Sequence, residues 1–476
     1  MEFSELIRTG RAEALLLPGP GQPPVRGTLC ITSHHLLLSA GHGSPGDLWL
    51  LLRNVDAVEK RPQSLRLGDA ANLHPPDHFY QQVALQTDAW RLSAVNRDFD
   101  VCASYPPALV VPVGIGDEVL ARSARFRQGG RFPVLCYYHT TNGTVMLRSS
   151  QPLQGANRRR CAEDEELLRA VLALGGGRGL VLDTRSAQAV QQARITGGGT
   201  EAKAAYPGWK RLHRPLERGR PLQDSFVRLV EACTDPSLSM DRWLSRLDGC
   251  RWLTHVKETL TAACLAAQGM DREGVCILVH GAEGTDTTLL VTSLAQLILD
   301  PKCRTMSGFQ SLLEREWIQA GHPFQQRCAH SAYAQARPKH EAPVFLLFLD
   351  CVWQLSRQFP LSLEFGEGML LAVFEHAYAS PFGTFLCNSE KERYLCEVKT
   401  KTHSLWSSLN QSKERRRLRN PIYTPNPLAL WPSVEPQSLQ LWAGLFLRWT
   451  RPPEPAQEAW EQLWRIVTEQ EGGDTL

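Results

Sequence analysis

The sequence has no CxxC pair, no apolar run long enough for a bilayer and hardly any net charge, and each absence closes off a class of protein. Its 13 cysteines are an odd number, scattered from Cys30 to Cys396. Without paired spacing they argue for reduced cytosolic thiols over a disulfide framework or a zinc site. A formal net charge of +3 over 476 residues gives no general attraction for nucleic acid, and none is expected as a partner. The most apolar run, Pro343 to Leu349, ends at Asp350 and is too short to cross the hydrocarbon core. The N-terminus, MEFSELIRTG, carries Glu2 and Glu5 and has no apolar stretch, so it does not read as a secretory signal. What remains, with 43% hydrophobic and 21% charged residues, is a cytoplasmic, globular chain long enough for more than one domain.

The chain is organised around Val275 to Leu299. Val275, Cys276, Ile277, Leu278 and Val279 are a short apolar, β-branched run that predicts a buried strand. From Thr287 onward Leu290, Val291, Leu294, Leu297 and Ile298 recur at helical spacing. Between them lies the candidate site: His280, Gly281, Ala282, Glu283, Gly284, Thr285, Asp286, Thr287 and Thr288. A tight loop entering a helix N-terminus directs backbone amides at an anion. Glu283 and Asp286, however, are expected to face that cradle without a compensating cation, which disfavours a bound phosphate. No metal-ligand set and no cofactor is expected. Just upstream, Leu253, Val256, Leu260, Ala263 and Ala267 form one stripe of a helix expected to pack beside the cradle.

Elsewhere, Gly27 to Leu38 and Leu48 to Leu52 read as strands of an all-β module, separated by the turn residues of Gly41 to Gly46. Adjacent strand residues point to opposite faces, so His34 and His35 do not make a ligand pair. Distinctive blocks then follow in order: Trp90-Arg91-Leu92, Cys102 to Pro107, Arg125-Phe126-Arg127, Gly130 to Val134, Leu180 to Arg185, Gly197 to Gly199, Gly321 to Phe324, Pro343 to Phe359 and Phe382 to Glu390.

These blocks, spanning about Trp90 to Thr450, resemble the myotubularin phosphoinositide 3-phosphatases. The family's phosphate loop reads His-Cys-Ser-Asp-Gly-Trp-Asp-Arg-Thr. Gly281 stands where that pattern has its cysteine nucleophile, and Thr287 where it has its phosphate-gripping arginine. The resemblance therefore implies an α/β fold, a cysteine-dependent phosphatase-like domain with a central sheet flanked by helices. It implies a catalytically inactive member, a pseudophosphatase with no catalytic residue. Asp286 aligns with a proposed family acid. The expected organisation is a partial, β-rich PH-GRAM-like module over 1–87, the inactive phosphatase-like domain over 88–450 and a short helical tail over 451–476. In that tail the stripe Ala456, Trp460, Leu463, Trp464 and Val467 stops at Gly472 and Gly473, short of a coiled coil.

Family precedent for inactive members is a heteromer with an active myotubularin-related phosphatase, which it regulates. Two other readings stand beside this one. A phosphoinositide-binding adaptor, peripheral on endomembranes, would use the N-terminal module and the basic groups Arg158 to Arg160 and Lys413, Arg415, Arg416, Arg417 and Arg419, each of which also reads as a solvated loop. An active lipid phosphatase would need a relocated nucleophile, for which Cys264 and Cys276 are the nearby thiols in sequence.

Overall fold

The computed structural model describes residues 87–235, 237–328 and 340–448, together with the backbone of four strands nearer the N-terminus. Those four, β1 (Arg11–Leu16), β2 (Val25–Ile31), β3 (His35–Ala40) and β4 (Leu48–Leu51), form an antiparallel sheet in chain order. The run read as one strand from Gly27 to Leu38 is thus two, paired as a hairpin with Ile31 opposite Leu36. Residues 62–86 and the tail stripe from Ala456 to Val467 lie outside the described residues.

A short pair, β5 (Trp90–Ser93) and β6 (Leu109–Pro112), precedes the central sheet. That sheet is built from β7 (Val134–Tyr138), β8 (Val145–Ser149), β9 (Gly179–Asp183), β10 (Trp209–His213) and β11 (Cys276–His280). Its order is β10-β9-β11-β8-β7, parallel except for β7, which runs antiparallel on β8 at one edge. The central position of β11 explains its composition. Ile277 and Val279 point into one apolar core while Cys276 and Leu278 point into another, so a strand covered on both faces has no use for alternating polar residues.

The helices that matter for the site are α1 (Asp117–Phe126), α2 (Ala162–Leu174), α3 (Ala187–Ile195), α4 (Arg220–Thr234), α5 (Met240–Cys250), α6 (Trp252–Asp271) and α7 (Thr287–Leu299). They are followed by α8 (Met306–Leu313), α9 (Phe324–Arg327), α10 (Val344–Gln358), α11 (Glu367–Tyr378) and α12 (Glu390–Leu395). Helix α2 covers one face of the sheet through Leu168, Val171 and Leu172, in the same core as Leu278. On the other face α6 buries Val256, Leu260, Ala263 and Ala267 against α7, as the stripe predicts.

Every residue of α7 is buried. Each fully buried Leu or Ile there contributes about 1.5–3 kcal/mol, provided the helix's polar side chains are satisfied. Beyond the first turn they are: Ser293 donates to the Leu289 carbonyl (2.5 Å), Thr292 donates to Glu316 (3.2 Å), and Gln296 accepts from Arg315 (2.7 Å). Glu316 lies in a π-helical turn, Glu314–Ile318, and takes both its oxygens to Arg148 of β8 at 3.0 Å. A helix buried on all sides fixes its own N-terminus rigidly, and that end carries the candidate loop.

Candidate functional site

The loop leaves β11 at the C-terminal end of the sheet, where α/β folds place their binding crevices. On either side are the ends of β9, at Asp183, and of β8, at Ser149. Backbone pairing ties it down: Gln151 N–H donates to the Ala282 carbonyl (3.2 Å) and Thr184 N–H to the His280 carbonyl (3.0 Å). Gly284, at φ 75°, needs to be glycine, because a Cβ there would sit 2.4 Å from the Ser149 carbonyl oxygen. Gly281 is different: an added Cβ would meet Thr184 Oγ1 and Thr287 Oγ1 at 3.2 Å and Thr288 Oγ1 at 3.3 Å. Three threonine hydroxyls therefore converge on the position that has no side chain.

Those hydroxyls are partly committed to one another. Thr184 donates to the His280 carbonyl (3.1 Å) and lies 2.7 Å from the Thr287 hydroxyl. The Thr288 hydroxyl is buried without a hydrogen-bond partner among the described residues.

Behind the loop is a buried ionic network. His280 Nε2 meets Glu201 Oε2 at 3.0 Å, and Arg127 donates to the other Glu201 oxygen (2.6 Å) and in two places to Asp164 (2.9 and 2.7 Å). Burial would raise the Glu201 carboxyl, but the charges of His280 and Arg127 outweigh it and hold the group well below the usual carboxylate range. Arg185 doubles back on Asp183 (2.9 and 2.8 Å) and donates to Gln151 (2.6 Å).

The expectation that Glu283 and Asp286 face the cradle without a cation is corrected here. Arg327 at the end of α9 donates Nε and Nη2 to the two oxygens of Asp286 at 3.0 and 2.7 Å, and His322 Nδ1 lies 3.4 Å from the same carboxylate. Glu283 is met by Arg218 at 3.5 Å, both side chains being exposed. The cations come from other elements, which spacing within the loop does not reveal. Burial again opposes ionisation of Asp286, yet the His322 hydrogen bond and the Arg327 charge together keep its carboxyl well below the ordinary range. At neutral pH Asp286 is a carboxylate with no proton to give.

Two more side chains missed in the sequence hold the loop. Arg131 donates Nη2 to the Gly284 carbonyl and Nη1 to Ser104 Oγ, both at 2.8 Å, and its guanidinium stacks 4.4 Å from the Tyr105 ring centroid. His322 Nδ1 donates to the Thr285 carbonyl (2.9 Å). Between these groups and the loop opens a pocket of about 290 Å³ lined by Arg131, Glu283, Thr285, Pro323, Arg327 and Asn388. The only signals were the blocks Arg125-Phe126-Arg127, Gly130 to Val134 and Gly321 to Phe324, which supply Arg127, Arg131 and His322.

Comparison with known proteins decides the family. The sequence profile of the myotubularin-like phosphatase domain matches residues 56–394. The chain belongs to the myotubularin family. It is 66% identical to myotubularin-related protein 9-like of Bos taurus over 99% of this chain and 97% of that protein. It is 49% identical to human myotubularin-related protein 9 over 98% of this chain and 94% of the relative. A more distant myotubularin, the phosphatidylinositol-3,5-bisphosphate 3-phosphatase MTMR8 of Gallus gallus, is 38% identical over 79% of this chain and 60% of its own length. The mixed sheet flanked by helices is the myotubularin phosphatase domain.

Neither neighbouring thiol reaches the myotubularin loop as a replacement nucleophile. Cys276 begins β11 and the loop follows its end, so the thiol lies about 13 Å away along the strand at ~3.3 Å per residue. Its Sγ is directed to the Gly175 carbonyl (3.4 Å), and burial pushes the thiol upward. Cys264 is on α6, where burial raises it to about 11. The basic groups do not gather at the loop's pocket. Arg160 pairs with Glu165 (2.6 Å), and Arg417 pairs with Glu414 (3.0 Å) on a short helix, Ser412–Leu418. No described helix is long and apolar enough to cross a membrane.

Proposed function

We propose that this chain is a catalytically inactive myotubularin-related protein that binds an active phosphatase of the family and regulates it. The observation that carries the reading is the convergence of the Thr184, Thr287 and Thr288 hydroxyls on Gly281, within 3.2 to 3.3 Å of a missing Cβ. Attack on a phosphate needs a nucleophilic side chain at that point, and none is there. A guanidinium at Thr287 would have gripped the phosphate oxygens in two places; the threonine offers one hydroxyl, already engaged with Thr184. Asp286, the remaining acid, is ionised and bound by Arg327. The loop thus keeps its backbone fold, secured by Arg131, His322 and Arg327, while its reactive side chains are absent. A scaffold maintained without its chemistry supports a role exercised through binding.

The candidate partners are active myotubularins, of which the phosphatidylinositol-3,5-bisphosphate 3-phosphatase MTMR8 is one named relative. The test has two arms. The purified chain is incubated with vesicles containing phosphatidylinositol 3-phosphate, and no phosphate release above background is expected. An active family member is then assayed with and without the chain, and a raised rate or a longer active lifetime is expected. Turnover by the chain alone, surviving removal of co-purifying phosphatases, overturns the inactive reading. An unchanged partner at saturating chain overturns the regulatory one.

A further inference from the structure

Helix α5 carries an apolar stripe that the domain covers on one side only. Met240, Trp243, Leu244 and Leu247 recur at i, i+3, i+4 and i+7, the spacing of a helical face meant for burial. Trp243 and Leu247 are half-buried against the main core, yet Met240 is 60% and Leu244 52% exposed, and Cys250 alone of the helix's 11 residues is fully buried. A helix of this length draws its stability from packing. Its open apolar edge is therefore a surface that is stabilised when covered.

The path of the chain identifies the cover. Ser225 Oγ of α4 donates to the Cys250 carbonyl (2.6 Å), and Trp252 opens α6 two residues after Cys250. Phe446, in the short helix Ala443–Phe446, packs against both elements, with its ring centroid 6.1 Å from that of Trp252 and 6.4 Å from that of Phe226 on α4. The described residues end at Arg448, so residues 449–476 set out from beside the C-terminal end of α5. In that segment Trp460, Leu463, Trp464 and Val467 repeat the i, i+3, i+4, i+7 spacing of the α5 stripe. Each stripe is about 10 Å long at 1.5 Å per helical residue. The connection, residues 449–455, includes Pro452, Pro453 and Pro455. It reaches at most about 25 Å when extended, more than the ~16 Å length of α5. Spacing, length and point of departure all fit this segment to the open edge.

We propose that residues 456–467 dock as a helix on the open edge of α5 in their own chain, laying Trp460, Leu463, Trp464 and Val467 against Met240 and Leu244. Tethering makes so short a stripe sufficient. Fewer than two heptads cannot hold two separate chains together as a coiled coil, but a short linker presents the same stripe to α5 at an effective concentration in the millimolar range. Docking also removes the need for the tail helix to stand alone, where roughly 12 to 15 residues are marginal in water. A tail held in this way is not free to pair with another chain, so a partner must either meet a different surface or displace it.

The experiment uses the full chain with the photocrosslinker p-benzoylphenylalanine in place of Leu244, an exposed position that accepts a larger ring. Unlabelled and nitrogen-15-labelled protein are mixed in equal amounts, irradiated, digested with trypsin and mapped. Trypsin releases the probe in residues 243–246 and the tail as 449–465 and 466–476, because Arg451 precedes a proline and is not cut. The expected product joins 243–246 to a tail peptide, with both halves light or both heavy. Trp464→Asp should lower its yield at least tenfold and speed hydrogen exchange of the α5 amides, whereas Gln462→Ala, on the opposite side of the tail stripe, should leave both unchanged. Hybrid light–heavy pairs would place the tail on a second copy and overturn the proposal. Crosslinks that avoid the tail, or an equal yield from Trp464→Asp, would overturn it as well. The mass pattern obtained with the unsubstituted tail decides the matter even if Trp464→Asp misfolds.

Discussion

The hydroxyls of Thr184 and Thr287 lie 2.7 Å apart beneath Gly281, joining the end of β9 to the first turn of α7. Together with Thr288 they make the loop's interior a small polar nest of side chains that cannot leave as thiolates or grip as guanidinium groups.

Restoring the two missing side chains is therefore predicted to fail. In Gly281→Cys with Thr287→Arg, the new thiol enters among hydroxyls already at 3.2 to 3.3 Å, and the arginine breaks the Thr184 pairing. Asp286 still has no proton, because Arg327 and His322 are untouched. Loss of a general acid alone costs roughly 10²–10⁴ in rate, so the double mutant should stay at least about 10²-fold below an active myotubularin on phosphatidylinositol 3-phosphate vesicles. Turnover comparable to an active family member would show that the surrounding shell still supports catalysis.

The two loop glycines should respond oppositely to alanine. Gly284→Ala combines φ 75° with a 2.4 Å approach to the Ser149 carbonyl, and backbone cannot move aside cheaply, so about 2–4 kcal/mol of stability should be lost. Gly281→Ala meets only hydroxyls that can shift slightly and should change stability by no more than about 1 kcal/mol. Chemical denaturation of both variants measures the contrast, and an equal loss at the two positions would refute it.

The strand, loop and helix around the site could be read from residue pattern alone, because a doubly covered strand and a buried helix leave unbroken apolar signatures. Cys276–His280 and Thr287–Leu299 fall within one residue of the expected positions. What holds the loop could not be read that way. Arg327 lies 41 positions from Asp286, Glu201 79 from His280 and Arg131 153 from Gly284. Such pairs are set by how elements pack, and spacing within the loop does not encode them. Thr184 lay within the block Leu180 to Arg185 with nothing to single it out, and its hydroxyl completes the contact with Thr287. In the N-terminal region, apolar runs between turn residues marked Gly27 to Leu38 and Leu48 to Leu52 as strands but neither β1 nor the hairpin pairing Ile31 with Leu36.

Removing the guanidinium should expose how the acid of the loop is held. Arg327→Ala leaves Asp286 buried with only His322 beside it. Breaking a buried ion pair from one side costs about 3–5 kcal/mol, and His322 should keep the loss near the lower figure. The sign with pH follows from a depressed folded-state pKa. The pair's contribution is fully present above the unfolded carboxyl value of about 3.9 and is lost as pH falls below it. Arg327→Ala should therefore be less stable than wild type at pH 7, with the gap narrowing toward pH 3. A gap independent of pH would mean that packing of the Arg327 side chain, and not its charge, stabilises the loop.

Asp350 should give the opposite slope. Its carboxylate is fully buried on α10 and accepts from Trp252 Nε1 (2.7 Å) and Gln354 Nε2 (3.0 Å). Burial dominates these two neutral donors and raises the group to about 6. A raised folded-state pKa means that the native state binds the proton more tightly than the unfolded chain does. Its contribution is thus complete below about pH 4 and is lost as pH rises through about 6. A shift of two units corresponds to about 3 kcal/mol, so Asp350→Asn, which cannot ionise, should lack a decline of that order between pH 4 and 8. The absolute stability of the variant also depends on how its amide meets the Gln354 donor, so the informative quantity is the difference in slope. Urea unfolding of both proteins across that range measures it. Parallel curves would mean that Asp350 is already ionised in the folded chain at pH 4 and that Trp252 and Gln354 stabilise its charge more strongly than burial opposes it.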